Sequence, residues 1–283
     1  IVLKMNKKTK TELNITGLSS LVKFTYDIMN MHPDTQAPFI GKSAFAHKGG
    51  IHVSAVMKDS NMYEHIDPKL VGNKQRVLVS DLSGKSNISF KANELDIKYK
   101  DSKEITGKLV SKVKDLEFEG YQFEAADASL ELILRELSGE YSPFFKVLDS
   151  KVHISYDESG TEKADATLKV LVGDDIEHTA SDGDGPVDAL NNALRKALAM
   201  FFPELKDVRL TDYKVRVLNE QEGTGAKVRV LIESAYEDDS WSTIGVSKNI
   251  IEASRQALSD SFNYRLAKLS NWSNKNKKSL QLS

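Results

Sequence analysis

The chain has 283 residues, a net charge of −2 and no cysteine. Its hydrophobic fraction of 40 % and charged fraction of 28 % suit a chain that buries a core, which excludes a long disordered polypeptide. The balance of 39 basic against 41 acidic residues argues for no nucleic acid and no membrane surface as partner, and the lack of cysteine excludes disulfides, thiolate metal sites and thiol nucleophiles, in keeping with a cytoplasmic location. No apolar run approaches the ~20 residues of a spanning helix, and the opening IVLKMNKKTK has no signal-peptide core. The chain starts without Met, as a fragment or processed product does. Its length suits two domains, or one large one, at roughly 100–200 residues each.

Residues 1–15 are Lys-rich, without an apolar period, and read as a linker or frayed end. Thr16 is a candidate cap for a helix with Leu18, Leu21, Val22, Ile28 and Met29 at helical spacing. His32-Pro33 stops it, because the residue before proline avoids the α region. Residues 36–65 read as a loop with a short helix, Ile66-Asp67-Pro68 as a turn, and RVLVSDL (76–82) as a strand or extended arm. Ile105, Leu109, Val113 and Leu116 form one helical stripe; after Gly120, Phe123, Ala126, Leu130, Ile133 and Leu137 form a second. The two predict a helical hairpin closed by Ser138-Gly139.

From about residue 142 the texture turns to β. VHISY (152–156), ATLKVLV (166–172) and EHTAS (177–181) read as strands, with DESG as a turn between the first two. A helix follows GDGP, with Val187, Leu190, Leu194, Ala197, Leu198 and Phe201 on one face, Pro186 near its start and Pro203 past its end. The order then recurs: strands at 213–219, 226–234 and 241–246, and a helix carrying Ile251, Leu258, Phe262 and Leu266. At an offset of about 60 residues, Gly185, Ala193, Arg195, Ala197 and Leu198 match Gly245, Ala253, Arg255, Ala257 and Leu258, which predicts two βββα units by duplication. The polar stretch from Ser270 reads as a disordered tail. The fold class is α+β, with a helical region over 1–140 and the duplicated region over 141–269; no Rossmann fingerprint, P-loop or TIM-barrel pattern is present.

Two polar clusters stand out. In the first, His47 and His52 flank Lys48, Gly49 and Gly50, and Tyr63 and His65 follow. His52 and Tyr63 suit proton transfer, since His titrates near neutrality and Tyr carries a phenolic O–H. The same cluster also reads as structural. A zinc pair at His47 and His52 is disfavoured, because their spacing is not the i,i+4 of a helical ligand pair and no third ligand is near. The second cluster, Asp182-Gly183-Asp184-Gly185-Pro186, places N–H groups before a helix, either as a carboxylate site or as a tight strand-to-helix turn. EGTGA (222–226) reads as a hairpin turn and SGKS (83–86) as a hinge or turn.

GKSAFAHKGGIHVSAVMKD and MYEHIDPKLVGNKQRVLVSDLSGKSNI closely resemble the 2-isopropylmalate synthase/homocitrate synthase/citramalate synthase family. With GYQFEAADASLELI downstream, the chain looks most like the family's citramalate-forming members. GDGPVDAL and WSTIGVSKNIIEASRQAL resemble the family's C-terminal regulatory domain, a pair of βββα units. The resemblance covers about residues 15–268. It implies helical linker subdomains over 1–140, an allosteric domain over 141–269, and a C-terminal fragment lacking the family's N-terminal TIM barrel. It implies an acyltransferase that joins acetyl-CoA to a 2-oxo acid in a Claisen-type step: pyruvate, toward isoleucine, or 2-oxoisovalerate, toward leucine. No cofactor is expected within this fragment, which is expected to be inactive alone; the divalent metal is expected in the missing barrel.

The resemblance assigns catalytic roles to His52 and Tyr63, which would reach a partner subunit's barrel. It assigns effector binding to Asp182, Gly183, Asp184, Gly185, Pro186, Val187, Leu210, Asp212, Tyr213, Val217 and Ala226. The implied effector is a branched-chain amino acid, isoleucine or leucine. Loop N–H groups would take its carboxylate, Asp its ammonium, and Val187, Leu210 and Val217 its side chain. A homodimer is expected. The other reading is a stand-alone amino-acid sensor that pairs with a separate catalytic chain.

Overall fold

The computed structural model describes residues 13–29, 31, 34–41, 43–59, 62–78, 85–95, 97, 103–156, 158–218, 223, 225–237 and 239–270. The tail expected beyond Ser270, most of the expected linker over 1–15, and residues 79–82 of the expected 76–82 strand lie outside them. The chain divides into two compact units at Glu94/Leu95. The sequence reading places that boundary near residue 140; the helices between fall in the second unit and pack with its sheets.

In the first unit, α1 (Leu18–Ile28) precedes the two-residue strand β1 (Ala46–His47), helix α2 (Gly50–Lys58), a 3-10 turn (Pro68–Val71), strand β2 (Arg76–Val77) parallel to β1, and helix α3 (Lys85–Glu94). Lys85 and Ser86, expected in a hinge, open α3 instead. Phe45, Ile66 and Val71 form a small core with Ile15, Phe39 and Ala44 against it. Of the stripe that predicts this helix, Leu21, Ile28 and Met29 are exposed and Leu18 and Val22 half-buried, so it is only partly covered within its own unit.

Several residues of the family-like motifs have plain structural work here. Gly72 caps the 3-10 turn with φ +69, where a Cβ would strike the Thr16 carbonyl. Asn73 donates from Nδ2 to the carbonyls of Phe39 (2.9 Å) and Gly41 (3.1 Å), and a Cβ on Gly41 would collide with the backbone at Thr35 and Ala37.

In the second unit, α4 (Lys103–Glu119) and α5 (Asp127–Ser138) are joined through Gly120 and a 3-10 turn, Phe123–Ala125. Gly120 has φ +114, and a Cβ there would run into Leu218. Of the expected second stripe, Phe123, Ala126 and Leu130 are buried, Ile133 is half-buried and Leu137 is exposed, while Leu132 and Leu134 of α5 are buried besides. Gly139 ends α5 in the left-handed region, as expected.

Strands β3 (Lys146–Tyr156), β4 (Glu162–Val172) and β5 (Asp175–Gly183) form an antiparallel sheet in chain order, followed by α6 (Pro186–Leu198). Strands β6 (Arg209–Val217), β7 (Val228–Tyr236) and β8 (Asp239–Ser247) form a second such sheet, followed by α7 (Ile250–Leu269). The expected pair of βββα units is thus present. Ala164, Ala166, Leu168, Val170 and Val172 alternate along β4 on one buried face, and join Leu190, Leu194 and Leu198 of α6, Val230 and Ile232 of β7, and Leu258 and Phe262 of α7 in one core. Each such Val, Leu, Ile or Phe side chain contributes on the order of 2 kcal/mol relative to exposure.

The repeat offset is 64 residues, because β5 and α6 begin at Asp175 and Pro186 and β8 and α7 at Asp239 and Ile250. The sequence match at about 60 is slipped by one helical turn. Four residues preserve a helix's apolar face, so Ala193 aligns with Ala253 in sequence while Ala189 is its equivalent in the fold.

Candidate functional site

The first group of predicted residues sits on α2 and the turn after it. Gly49 caps α2, its carbonyl accepting from the Val53 N–H at 2.9 Å, and the helix carries His52 on its first turn. The His52 and Tyr63 rings stack with centroids 4.3 Å apart and planes 22° apart, and both side chains are exposed. The structure therefore joins the two expected catalytic residues as one accessible pair.

Their neighbours hold the frame. His47 Nε2 lies 3.0 Å from Oε1 of buried Glu64, which commits that ring to a carboxylate rather than to a zinc pair with His52. His65 packs against Phe39 and Phe45. Buried Asn87 of α3 donates from Nδ2 to the carbonyls of Lys48 (2.8 Å) and Leu78 (3.0 Å), fixing the backbone just before Gly49. Glu64 and Asn87 go unnoticed in the sequence, where a lone Glu and a lone Asn carry no signal.

The second group divides in two. Asp182 and Gly183 end β5 rather than lying in a loop. Asp182 is exposed on the sheet face away from α6, opposite Asp165, while Gly183 faces α6 so closely that a Cβ would collide with the Ala189 backbone. The Asp184 N–H donates to Asp188 Oδ2 at 3.1 Å, which removes one of the N–H groups expected to face a carboxylate. Asn192 Nδ2 donates to Asp182 O and Asp188 Oδ2, each at 3.2 Å. Gly185 is the cap of α6, Pro186 its first residue, and Val187 is half-buried.

Leu210, Asp212, Tyr213 and Val217 all lie within β6. Leu210 and Tyr213 pack on the core; the Tyr213 hydroxyl lies 2.9 Å from Ser254 Oγ on α7. Asp212 is on the other face and pairs with Lys214. Val217 is exposed at the strand end, and Ala226 is buried beyond the turn. Among the described residues, no hydrogen bond joins the Asp182–Val187 group to the β6 group, for they belong to different βββα units.

A third feature ties α5 to this region. The Ile244 N–H donates to Ser129 Oγ (3.1 Å), whose O–H donates to Asp260 of α7 (2.6 Å). The residue keeps some exposure, yet its carboxyl is enclosed, and burial pushes it up to about 7, against the lowering effect of the Ser129 bond.

Comparison with known proteins agrees with this architecture. Residues 124–266 match the family model described as the LeuA allosteric (dimerisation) domain, and residues 39–120 match the homocitrate synthase post-HMGL domain-like family. The chain is 48 % identical to an (R)-citramalate synthase of Geobacter sulfurreducens over 94 % of its own length and 51 % of that protein's, and 48 % identical to one of Aquifex aeolicus over 90 % and 48 %. A 2-isopropylmalate synthase of Methanocaldococcus jannaschii is 27 % identical over 94 % and 48 %. The chain spans about half the length of the curated relatives it matches. With its paired βββα units and the match over 124–266, the chain belongs to the LeuA allosteric (dimerisation) domain family.

Proposed function

We propose that the chain supplies the linker and regulatory regions of a citramalate synthase, an acyltransferase condensing acetyl-CoA with pyruvate in isoleucine synthesis. The observation that carries this reading is the 48 % identity to (R)-citramalate synthases along nearly the whole chain, against 27 % to a 2-isopropylmalate synthase. In the whole enzyme His52 moves a proton at the reacting oxo acid or acetyl methyl, and Tyr63 holds a substrate or water. The exposed, stacked arrangement of the pair supports that use. The divalent metal that activates the oxo acid is held outside this chain.

The regulatory ligand is isoleucine, bound between two copies of the chain. The separation of the Asp182–Val187 group from Leu210, Tyr213 and Val217 supports a site that needs a homodimer to bring one copy's β5–α6 junction to the other's β6. Feedback then requires that binding there change the population of states competent at His52 and Tyr63.

Calorimetric titration of the chain with isoleucine, with leucine in parallel, tests this. Saturable binding of isoleucine and not leucine is the expected result. Leucine alone would transfer the reading to a 2-isopropylmalate synthase. Binding of neither by the full-length enzyme would overturn the regulatory role.

A further inference from the structure

The outer face of the second sheet, turned away from α7, carries a cleft of about 360 Å³ between the strands and the turn that joins α4 to α5. Its apolar lining includes half-buried Leu231 and exposed Ala125 above buried Ile244, and its polar lining includes Lys214, Arg216, Arg229 and Gln122 but no carboxylate. The volume falls within the range of small-molecule sites, which combine an apolar floor with a few convergent polar groups.

The cations are arranged against their own interest. Arg216 and Arg229 stand directly opposite each other across β6 and β7, a cross-strand pairing of like charge that costs stability. Arg229 is held in place: its Nε donates to the Gly120 carbonyl at 2.6 Å and its Nη1 to Gln122 Oε1 at 2.7 Å, while Nη2 has no hydrogen bond among the described residues. Arg216 has neither a hydrogen bond nor an ion pair among the described residues. Burial, and Arg216 beside it, hold the Arg229 guanidinium below its ordinary range, while Glu117 of α4 acts the other way. Lys214 is paired with Asp212, two positions along the strand. One guanidinium is therefore fixed with a donor to spare, and its unpaired counterpart lies directly across the sheet.

We propose that this cleft binds a small aliphatic carboxylate, its oxygens taken by Arg216 and Arg229 and its hydrocarbon part laid on Leu231 and Ala125. The guanidinium fork matches a carboxylate in geometry, and an anion between the two arginines cancels their repulsion. The site lies on the face of β6 opposite to Tyr213 and is independent of the proposed amino-acid site.

The test is calorimetric titration of the 283-residue chain with methylsuccinate, and with inorganic phosphate in parallel. One saturable methylsuccinate site is expected, weakened at least tenfold by Arg216→Gln and unchanged by Lys151→Gln, an exposed lysine on the first sheet. Arg216 is exposed, so its replacement leaves the fold intact, which circular dichroism checks. Phosphate binding as tight as methylsuccinate would overturn the assigned apolar floor. Absence of saturation, or equal weakening by Lys151→Gln, would overturn the site.

Discussion

The imidazole of His52 lies on the phenol ring of Tyr63, centroids 4.3 Å apart, although the first belongs to a helix and the second to the turn that follows it. Each ring limits the other's rotamers, so the two polar tips are presented together. In the full-length synthase proposed above, His52→Ala is expected to lower kcat about 100-fold or more, the scale of a lost acid–base group. Tyr63→Phe keeps the stacked ring and removes only the hydroxyl, so its loss of activity isolates the phenol. Wild-type kcat in His52→Ala would remove the residue from the reaction.

Backbone crowding makes an opposite pair of predictions at glycines. Gly245 lies against Ala253 as Gly183 lies against Ala189, and an added Cβ strikes backbone atoms in both places. Gly183→Ala and Gly245→Ala are each expected to cost about 2 kcal/mol, as overpacking does. Gly107, within α4, has open space around it, so Gly107→Ala is expected to add about 0.5–1 kcal/mol. Urea midpoints at constant m-value measure all three.

Asp260 gives the stability a pH dependence. Its carboxyl titrates at about 7 in the folded chain and near 4 in the unfolded one. Between those values the folded state keeps a proton that the unfolded state has lost. Stability from this group is therefore full below about pH 4, falls by up to ~1.4 kcal/mol per unit as pH rises, and levels off above about 7. Asp260→Asn still accepts from Ser129 and is expected to flatten that slope, as read by unfolding curves from pH 4.5 to 8.

Asn87 ties three pieces of the first unit together. Asn87→Ala removes the donor that Nδ2 supplies to the Lys48 and Leu78 carbonyls from a buried position, and a loss of about 1–3 kcal/mol is expected. Because Lys48 precedes the start of α2, raised hydrogen exchange at Ile51 to Val53 is expected with it.

What the sequence reveals here is local. Alternation along 166–172 marks the buried face of β4, Pro186 marks the start of α6, and Gly139 marks the end of α5. The misses come from distance or from mixed faces. Helix α3 buries Asn87 and Lys91 beside Ile88 and Ala92, so polar residues interrupt its apolar period. Strand β8 is not among the misses: it is read at 241–246 although it buries both faces, Thr243 under α7 and Ile244 against α5. At the candidate site, residue chemistry and the resemblance both single out His52 and Tyr63, but the support from Glu64 and Asn87 depends on partners 17 and 39 residues away.

The two sheets are copies in topology but not in the face each turns outward. At the repeat offset, Ala180 and Asp182 of β5 stand where β8 has Ile244 and Val246. In β8 those positions are shut in, Ile244 bonded to Ser129 of α5; in β5 they stay in water. One half thus serves as the anchor for α5, and the other is free of that duty. Mutational tolerance should split along the same line: polar replacements at 180 and 182 are permitted, and the same replacements at 244 and 246 detach α5. The shared βββα order accounts for the likeness of the halves, and the docking of α5 on one sheet alone accounts for their difference.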